Sequence, residues 1–243
     1  MAPLPVFIAV AYADEFSTGA TGPCVFACED ATGNPVGEYV VKFRSTIRGG
    51  PTGLLFECVA ALLALRLGLR TPVPAVVKLD QSLANATPKS EVATKIRDSV
   101  GLNFGSFNLT PSYITWPIDA RVPLALRQPA LDVMAFDALI ENVDRRREKP
   151  NLLWKGDEIV VIDHELAFSF VRTIGAKAAP FEYDGLNFLT HHPLFAGLKG
   201  YSVALDRFVG ELKSLDRPTL ESLFEGAPRE FGREHQEVLS IGV

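Results

Sequence analysis

A basic excess, long hydrophobic runs and a cysteine framework are all missing from this sequence of 243 residues. Its 24 Lys and Arg are outnumbered by 29 Asp and Glu, giving a net charge of −5 at pH 7. That balance argues against a protein that coats nucleic acid, because phosphate contacts need a basic surface. No apolar stretch reaches the roughly 18 uncharged residues of a membrane span. The start, MAPLPVFIAVAYA, has an Ala-Tyr-Ala that imitates a signal cleavage site. It has no basic n-region and prolines interrupt it, so it reads as a first strand. Three cysteines (Cys24, Cys28 and Cys58) are an odd number without a spaced framework. They point to a reducing compartment, the cytoplasm, and read as small core residues, with Cys24 and Cys28 on one face of a strand. His191 and His192 are adjacent and lack a cysteine partner, so they form no zinc set.

What is present is an ordinary globular composition, 47% hydrophobic and 22% charged. The length suits one two-lobed domain or two small ones. Strands are expected at 6–13, 23–29, 36–43 and 75–79, and helices at 52–67, 88–100, 199–212, 217–224 and 229–239. A segment from 101 to about 129, broken by Pro111, Pro117 and Pro123, reads as irregular. Between the first two strands lies the tip Ser17, Thr18, Gly19, Ala20, Thr21, Gly22. Its glycines let backbone N–H groups turn toward a phosphate, or simply make a flexible turn.

Two charges stand alone in apolar runs. Lys42 is bracketed by Val40, Val41 and Phe43, and Glu57 is the one charge between Thr52 and Leu65. A helix that is apolar nearly all round cannot easily offer Glu57 to water, and a buried unpaired carboxylate costs several kcal/mol. Lys42 is therefore its natural partner, unless that lysine points outward from a half-exposed strand.

The richest stretch is 136–170, FDALIENVDRRREKPNLLWKGDEIVVIDHELAFSF. It reads as a helix with Pro129 in its first turn that ends at Asp144, then a basic loop ending at Asn151. A hairpin follows (152–154, turn 155–157, 159–162) whose second strand ends at Asp163. An Asp that can orient a hydroxyl, followed by an Asn and an Asp that can hold Mg²⁺, is the minimal set for phosphoryl transfer. The plain alternative is a helix end and an ordinary hairpin with solvated acids. The basic run Arg145–Arg147 with Lys149 reads either as a solvated loop or as charge beside a transferring phosphate.

The pattern "ALIENVDR…PNLL…IDHELAF" resembles the catalytic segment of the HipA-like kinases and, more distantly, of phosphoinositide and protein kinases. The resemblance implies that Asp144 positions the acceptor hydroxyl and that Asn151 and Asp163 bind metal. Seven positions separate Asp144 from Asn151, where HipA itself has five, and Arg146 stands where HipA has His. The longer interval and the segment "GLNFGS" at 101–106 are similar to the short, stand-alone branch of the family. The expectation is an α+β, protein-kinase-like two-lobed fold forming one domain over 1–243. A small β-rich lobe (about 1–100) would carry the Gly tip, Lys42 and Glu57, and a larger, mostly helical lobe (about 101–243) the acids. ATP would bind in the cleft, with the γ-phosphoryl group passing to a hydroxyl of a protein Ser/Thr or a small molecule.

Three competitors stand beside this reading. A small-molecule kinase of the aminoglycoside-phosphotransferase kind shares the Asp/Asn/Asp logic, although it usually has a His two residues before the Asp, where this chain has Asn142. A non-catalytic nucleotide-binding pseudokinase is a second. A plain interaction domain is a third, which the Lys42/Glu57 coincidence disfavours.

Overall fold

The computed structural model describes residues 2–16, 21–172, 183–202 and 204–232. The fold is mixed α/β, β-rich in its N-terminal part and helical in its C-terminal part. The chain divides into two compact units. The first comprises the described parts of 1–59, 72–109 and 222–234, and the second those of 60–71 and 110–221.

The first unit is a closed five-stranded barrel. Its strands are β1 (Val6–Glu15), β2 (Cys24–Glu29), β3 (Pro35–Lys42), β4 (Pro74–Leu79) and β5 (Gly101–Phe107), in the order β1-β2-β3-β5-β4. β4 returns to β1 in parallel and closes the barrel, which leaves no strand edge open. Alternation places Cys24, Phe26 and Cys28 of β2 in the barrel core with Val41 and Val77. The three cysteines are free and buried, and burial pushes the Cys24 thiol up to about 11 and Cys28 up to about 12.

β5 occupies the start of the stretch expected to be irregular. Two residues of "GLNFGS" explain why it forms. A Cβ on Gly105 would lie 2.5 Å from Val77 Cγ2, so only glycine lets β4 and β5 approach this closely. The fully buried Asn103 accepts the Arg44 N–H at 2.9 Å and donates to the Ser99 and Gly101 carbonyls at 2.9 and 3.0 Å. An internal polar side chain with three partners stitches β5 to the loop after β3.

Helix α1 (Pro51–Arg66) is apolar all round and is followed by Gly68 at φ +75°. The Leu69 N–H reaches the Ala64 carbonyl and the Gly68 N–H that of Leu65. This is the Schellman closure, which satisfies the last carbonyls of a helix. The single helix expected over 88–100 is α3 (Ser90–Asp98), preceded by a short α2 (Gln81–Ala86). Asp80 caps α2 by accepting the Leu83 N–H at 2.9 Å, an N-cap signal the sequence reading passed over.

In the second unit, a three-stranded antiparallel sheet is made of β6 (Ile114–Thr115), β7 (Leu152–Lys155) and β8 (Glu158–Val161), and α4 (Arg127–Leu139) lies in sequence between β6 and β7. β6 was not expected, because two residues give no periodicity to read. It is held by the Trp116 N–H on the Leu152 carbonyl at 2.9 Å. Two four-residue helices follow, α5 (Ser169–Arg172) and α6 (Phe195–Leu198), with a 3-10 helix at Tyr183–His191 between them in sequence. The helix expected over 199–212 is the shorter α7 (Asp206–Lys213), and α8 (Arg217–Glu225) matches the expectation at 217–224. At 229–231 the chain makes a 3-10 turn ended by Gly232, and the rest of the helix expected to 239 lies outside the described residues. Among the described residues no helix is long and apolar enough to cross a membrane.

Candidate active site

In the first unit, Lys42 is the last residue of β3 and Glu57 lies in α1. Lys42 Nζ donates to Glu57 Oε1, and the two side chains are 11% and 2% exposed. The partnership expected from two isolated charges is present, and it is nearly dry. Of the tip, Ser17, Thr18, Gly19 and Ala20 lie outside the described residues. The Thr21 carbonyl accepts from Thr46 Oγ1 at 2.8 Å, and the Gly22 carbonyl accepts from Lys95 Nζ at 3.2 Å. The base of the tip is therefore fixed by side chains from two other segments.

In the second unit the chain departs from expectation at the end of α4. The helix stops at Leu139, five residues before Asp144. Glu141 adopts φ +43°, a left-handed conformation that a helix cannot continue through. Asn142 then donates its backbone N–H to the Asp137 carbonyl at 3.0 Å and its Nδ2 to Asp137 Oδ1 at 3.2 Å. Asp144 thus sits on a braced turn.

Asp137 is the hub of that brace. Its Oδ2 accepts Arg145 Nε at 2.5 Å and His192 Nε2 at 2.9 Å, with all three side chains fully enclosed. Because His192 Nδ1 accepts the Leu194 N–H, the imidazole proton resides on Nε2 and points at Asp137. Burial opposes the Asp137 charge, yet the Arg145 guanidinium and the His192 hydrogen bond hold its carboxyl below the ordinary range. Burial also lowers the His192 pKa, against the pull of Asp137.

Arg145 is thus neither a solvated loop residue nor a phosphate contact. Its Nη1 donates to the carbonyls of both Asn151 and Ile162, the latter at 3.1 Å. One buried guanidinium clamps the two backbone segments that carry the expected metal ligands. The Ile162 N–H completes the link on the Asn151 carbonyl at 3.1 Å. Asn151 and Asp163 both take left-handed φ values, +48° and +60°. Asn and Asp tolerate that region best, and such outliers gather at functional sites.

The seven-position interval closes on itself. Arg146 and Lys149 exchange backbone hydrogen bonds at 3.1 and 3.0 Å, leaving Arg147 and Glu148 at the tip of a tight turn. Arg147 pairs with the exposed Asp119. Lys149 turns the other way, and its Nζ lies 2.5 Å from Asp144 Oδ2 and 3.0 Å from Asp163 Oδ2. Although partial burial opposes it, the Asp163 and Asp144 carboxylates raise the Lys149 pKa. The structure therefore brings Asp144 and Asp163 to one ammonium, with Asn151 tied beside them through the backbone.

The family model of HipA-like kinases matches residues 10–177, more than half of the chain. The chain belongs to the HipA-like kinase family. No curated protein sequence matches it. Among solved structures it is similar to the Helicobacter pylori proinflammatory kinase CtkA, with a TM-score of 0.55 and 12% identity, covering 99% of this chain and 96% of that one. At that identity the likeness shows a shared fold, and the fold is that of a kinase structure.

Membership of the HipA-like kinases implies ATP and usually Mg²⁺, and the residues present fit both. Asp163 and Asn151 offer hard oxygen donors, the kind Mg²⁺ takes. An ammonium already bridges Asp144 and Asp163, so a cation belongs there. Asn151 Nδ2 is buried without a hydrogen-bond partner among the described residues, so no neighbouring acceptor fixes the amide away from a metal. Among the described residues no group of three or more His, Cys, Asp or Glu could hold a metal ion, so the donors offered are one carboxylate and one amide rather than an acid cluster.

Sequence reasoning missed Asp137, Asn142, Arg145 and His192 as positioning residues; it offered Lys149 as charge beside a phosphate but not as the bridge between Asp144 and Asp163. Asp137 and Asp132 are both buried acids of α4, so nothing in the sequence sets Asp137 apart. His192 carries no local signal, since its partner lies 55 residues away.

Proposed function

We propose that this HipA-like kinase transfers the γ-phosphoryl group of ATP to a hydroxyl, with residues 1–243 working as one kinase domain. The observation that carries the reading is the convergence of Lys149 on Asp144 and Asp163, with Asn151 clamped alongside by Arg145. In the reaction the bond between the γ-phosphorus and the β-bridging oxygen breaks. A bond to the acceptor oxygen forms, and ADP leaves.

Asp144 orients the acceptor hydroxyl and takes its proton. Asn151 and Asp163 would hold Mg²⁺, which neutralises charge on the phosphate oxygens when bound. Lys42, fixed by Glu57, holds the α/β-phosphates. A protein Ser/Thr and a small-molecule alcohol are both chemically suited acceptors. Asn142 braces Asp137, so it does not replace the histidine of the aminoglycoside-phosphotransferase kind in function. The free buried thiols suit the cytoplasm.

The test is phosphoryl transfer from γ-labelled Mg·ATP to the protein itself, and ADP release, beside an ATP-binding titration. Asp144→Ala should keep ATP affinity within a few-fold and lose transfer, because its role concerns the acceptor. Wild-type binding without any turnover would favour the non-catalytic module. Equal loss of binding and transfer in Asp144→Ala would make Asp144 a metal ligand or a structural residue.

A further inference from the structure

Lys149 was not needed to build the metal site from the sequence, yet it occupies the middle of it. Its backbone is pinned by the paired hydrogen bonds to Arg146, while its side chain remains 30% exposed. The residue is anchored through its backbone, and part of its stem meets solvent. Its ammonium holds Asp144 Oδ2 at 2.5 Å and Asp163 Oδ2 at 3.0 Å, carboxylates whose side chains are only 8% and 20% exposed. Two partly dry carboxylates sharing one site repel unless a cation lies between them.

We propose that Lys149 is a built-in counter-ion that holds the cation position between Asp144 and Asp163 until nucleotide arrives, so that divalent metal binds well with ATP and poorly alone. The inference rests on the metal site of the preceding section. An ammonium and a divalent cation compete for Asp163 Oδ2, so metal entry requires Lys149 to let go. In water alone the released ammonium gains only hydration. With a polyphosphate present it gains an anion in exchange, and metal and nucleotide binding become coupled. Lys149 thereby guards against metal loading in the absence of substrate.

The experiment is calorimetric titration of the full chain with Mn²⁺, first without nucleotide and then with a non-hydrolysable ATP analogue. Wild type should bind Mn²⁺ alone weakly, and the analogue should tighten it. Lys149→Met leaves the two carboxylates without their counter-ion and should tighten binding of Mn²⁺ alone by about tenfold, shrinking the effect of the analogue. Lys149→Arg, which keeps the charge, should resemble wild type. Adding Asp163→Asn to Lys149→Met should cancel the gain.

Should Lys149→Met fold poorly, Lys149→Gln serves the same comparison. Unchanged or weaker affinity for Mn²⁺ alone in the neutral variants overturns the proposal. The metal arm needs no turnover, which separates the two failures. A gain in Mn²⁺ affinity in a chain that never transfers phosphate leaves the counter-ion standing and removes the kinase reaction. Turnover in wild type with no Mn²⁺ gain in the variants does the reverse.

Discussion

Arg145 reaches back eight residues to place its Nε 2.5 Å from Asp137 Oδ2, and neither side chain has any exposed surface. The same guanidinium spans to the carbonyls of Asn151 and Ile162. The rigidity of the proposed site therefore comes from a residue that touches neither metal nor acceptor. A fully enclosed ion pair is a poor source of net stability, because desolvation offsets the attraction. Its value here lies in geometry, three fixed directions from one planar group.

Arg145→Met should destabilise the protein by about 3–5 kcal/mol, since it leaves the buried Asp137 carboxylate without its cation and removes the Arg145 bonds to two carbonyls. Arg145→Lys should recover only part of that loss, because one ammonium cannot reproduce the planar fork. Chemical denaturation of the three proteins checks both. A loss under about 1 kcal/mol for Arg145→Met, the range of an exposed pair, would refute the clamp.

Acid should weaken the fold through His192. Its folded pKa lies below the ordinary value of 6.5 because burial disfavours the charged form. The stability it contributes is thus fully present above about pH 6.5 and is lost as the pH falls below that value toward the folded pKa. Asp137, also depressed, loses its share only at pH below the ordinary carboxylate value of 3.8. Denaturation midpoints from pH 7.5 to 5 should fall for wild type and stay flatter for His192→Gln. Parallel curves would show that His192 titrates normally.

Asp163→Asn should abolish the Mg²⁺ dependence of ATP binding, because the amide keeps the shape and loses the charge that a divalent cation needs. Calorimetry with ATP at several Mg²⁺ concentrations measures it. An unchanged metal dependence would sink the assignment of Asp163 as principal ligand.

For Lys42 and Glu57, removing one partner should cost on the order of 3–5 kcal/mol, given how little of either is exposed. Replacing both with apolar residues should restore stability without restoring ATP binding, since the phosphates have lost their cation. A double-mutant cycle run with and without Mg·ATP reads both outcomes. Small, additive effects with ATP binding intact would remove Lys42 from the nucleotide site.

How much of this was legible in the sequence depended on the range of each interaction. Strand alternation placed Cys24 and Cys28 on one core face, and two lonely charges announced the pair Lys42 and Glu57. The order Asp144, Asn151, Asp163 drew attention to the segment in which Lys149 bridges Asp144 and Asp163. The end of α4 was misplaced because apolar spacing continues to Val143, whereas a left-handed Glu141 and the Asn142–Asp137 bond stop the helix earlier. Arg145, Arg146 and Arg147 look alike in a string of letters. Their fates (buried clamp, exposed neighbour, partner of Asp119) are decided by partners outside the run, 6 to 28 residues away for Arg145 and Arg147. β5 was hidden because Gly and Asn are poor strand formers, and both are there for contacts that only the barrel creates.

The turn at Arg146–Lys149 also bears on how the family can vary. Two residues that exchange both backbone hydrogen bonds lie about 5.5 Å apart at Cα, against 3.8 Å for directly bonded neighbours. Inserting Arg147 and Glu148 between them therefore displaces the flanking backbone by only about 2 Å. Length can drift at this tip while the donors on either side keep their places.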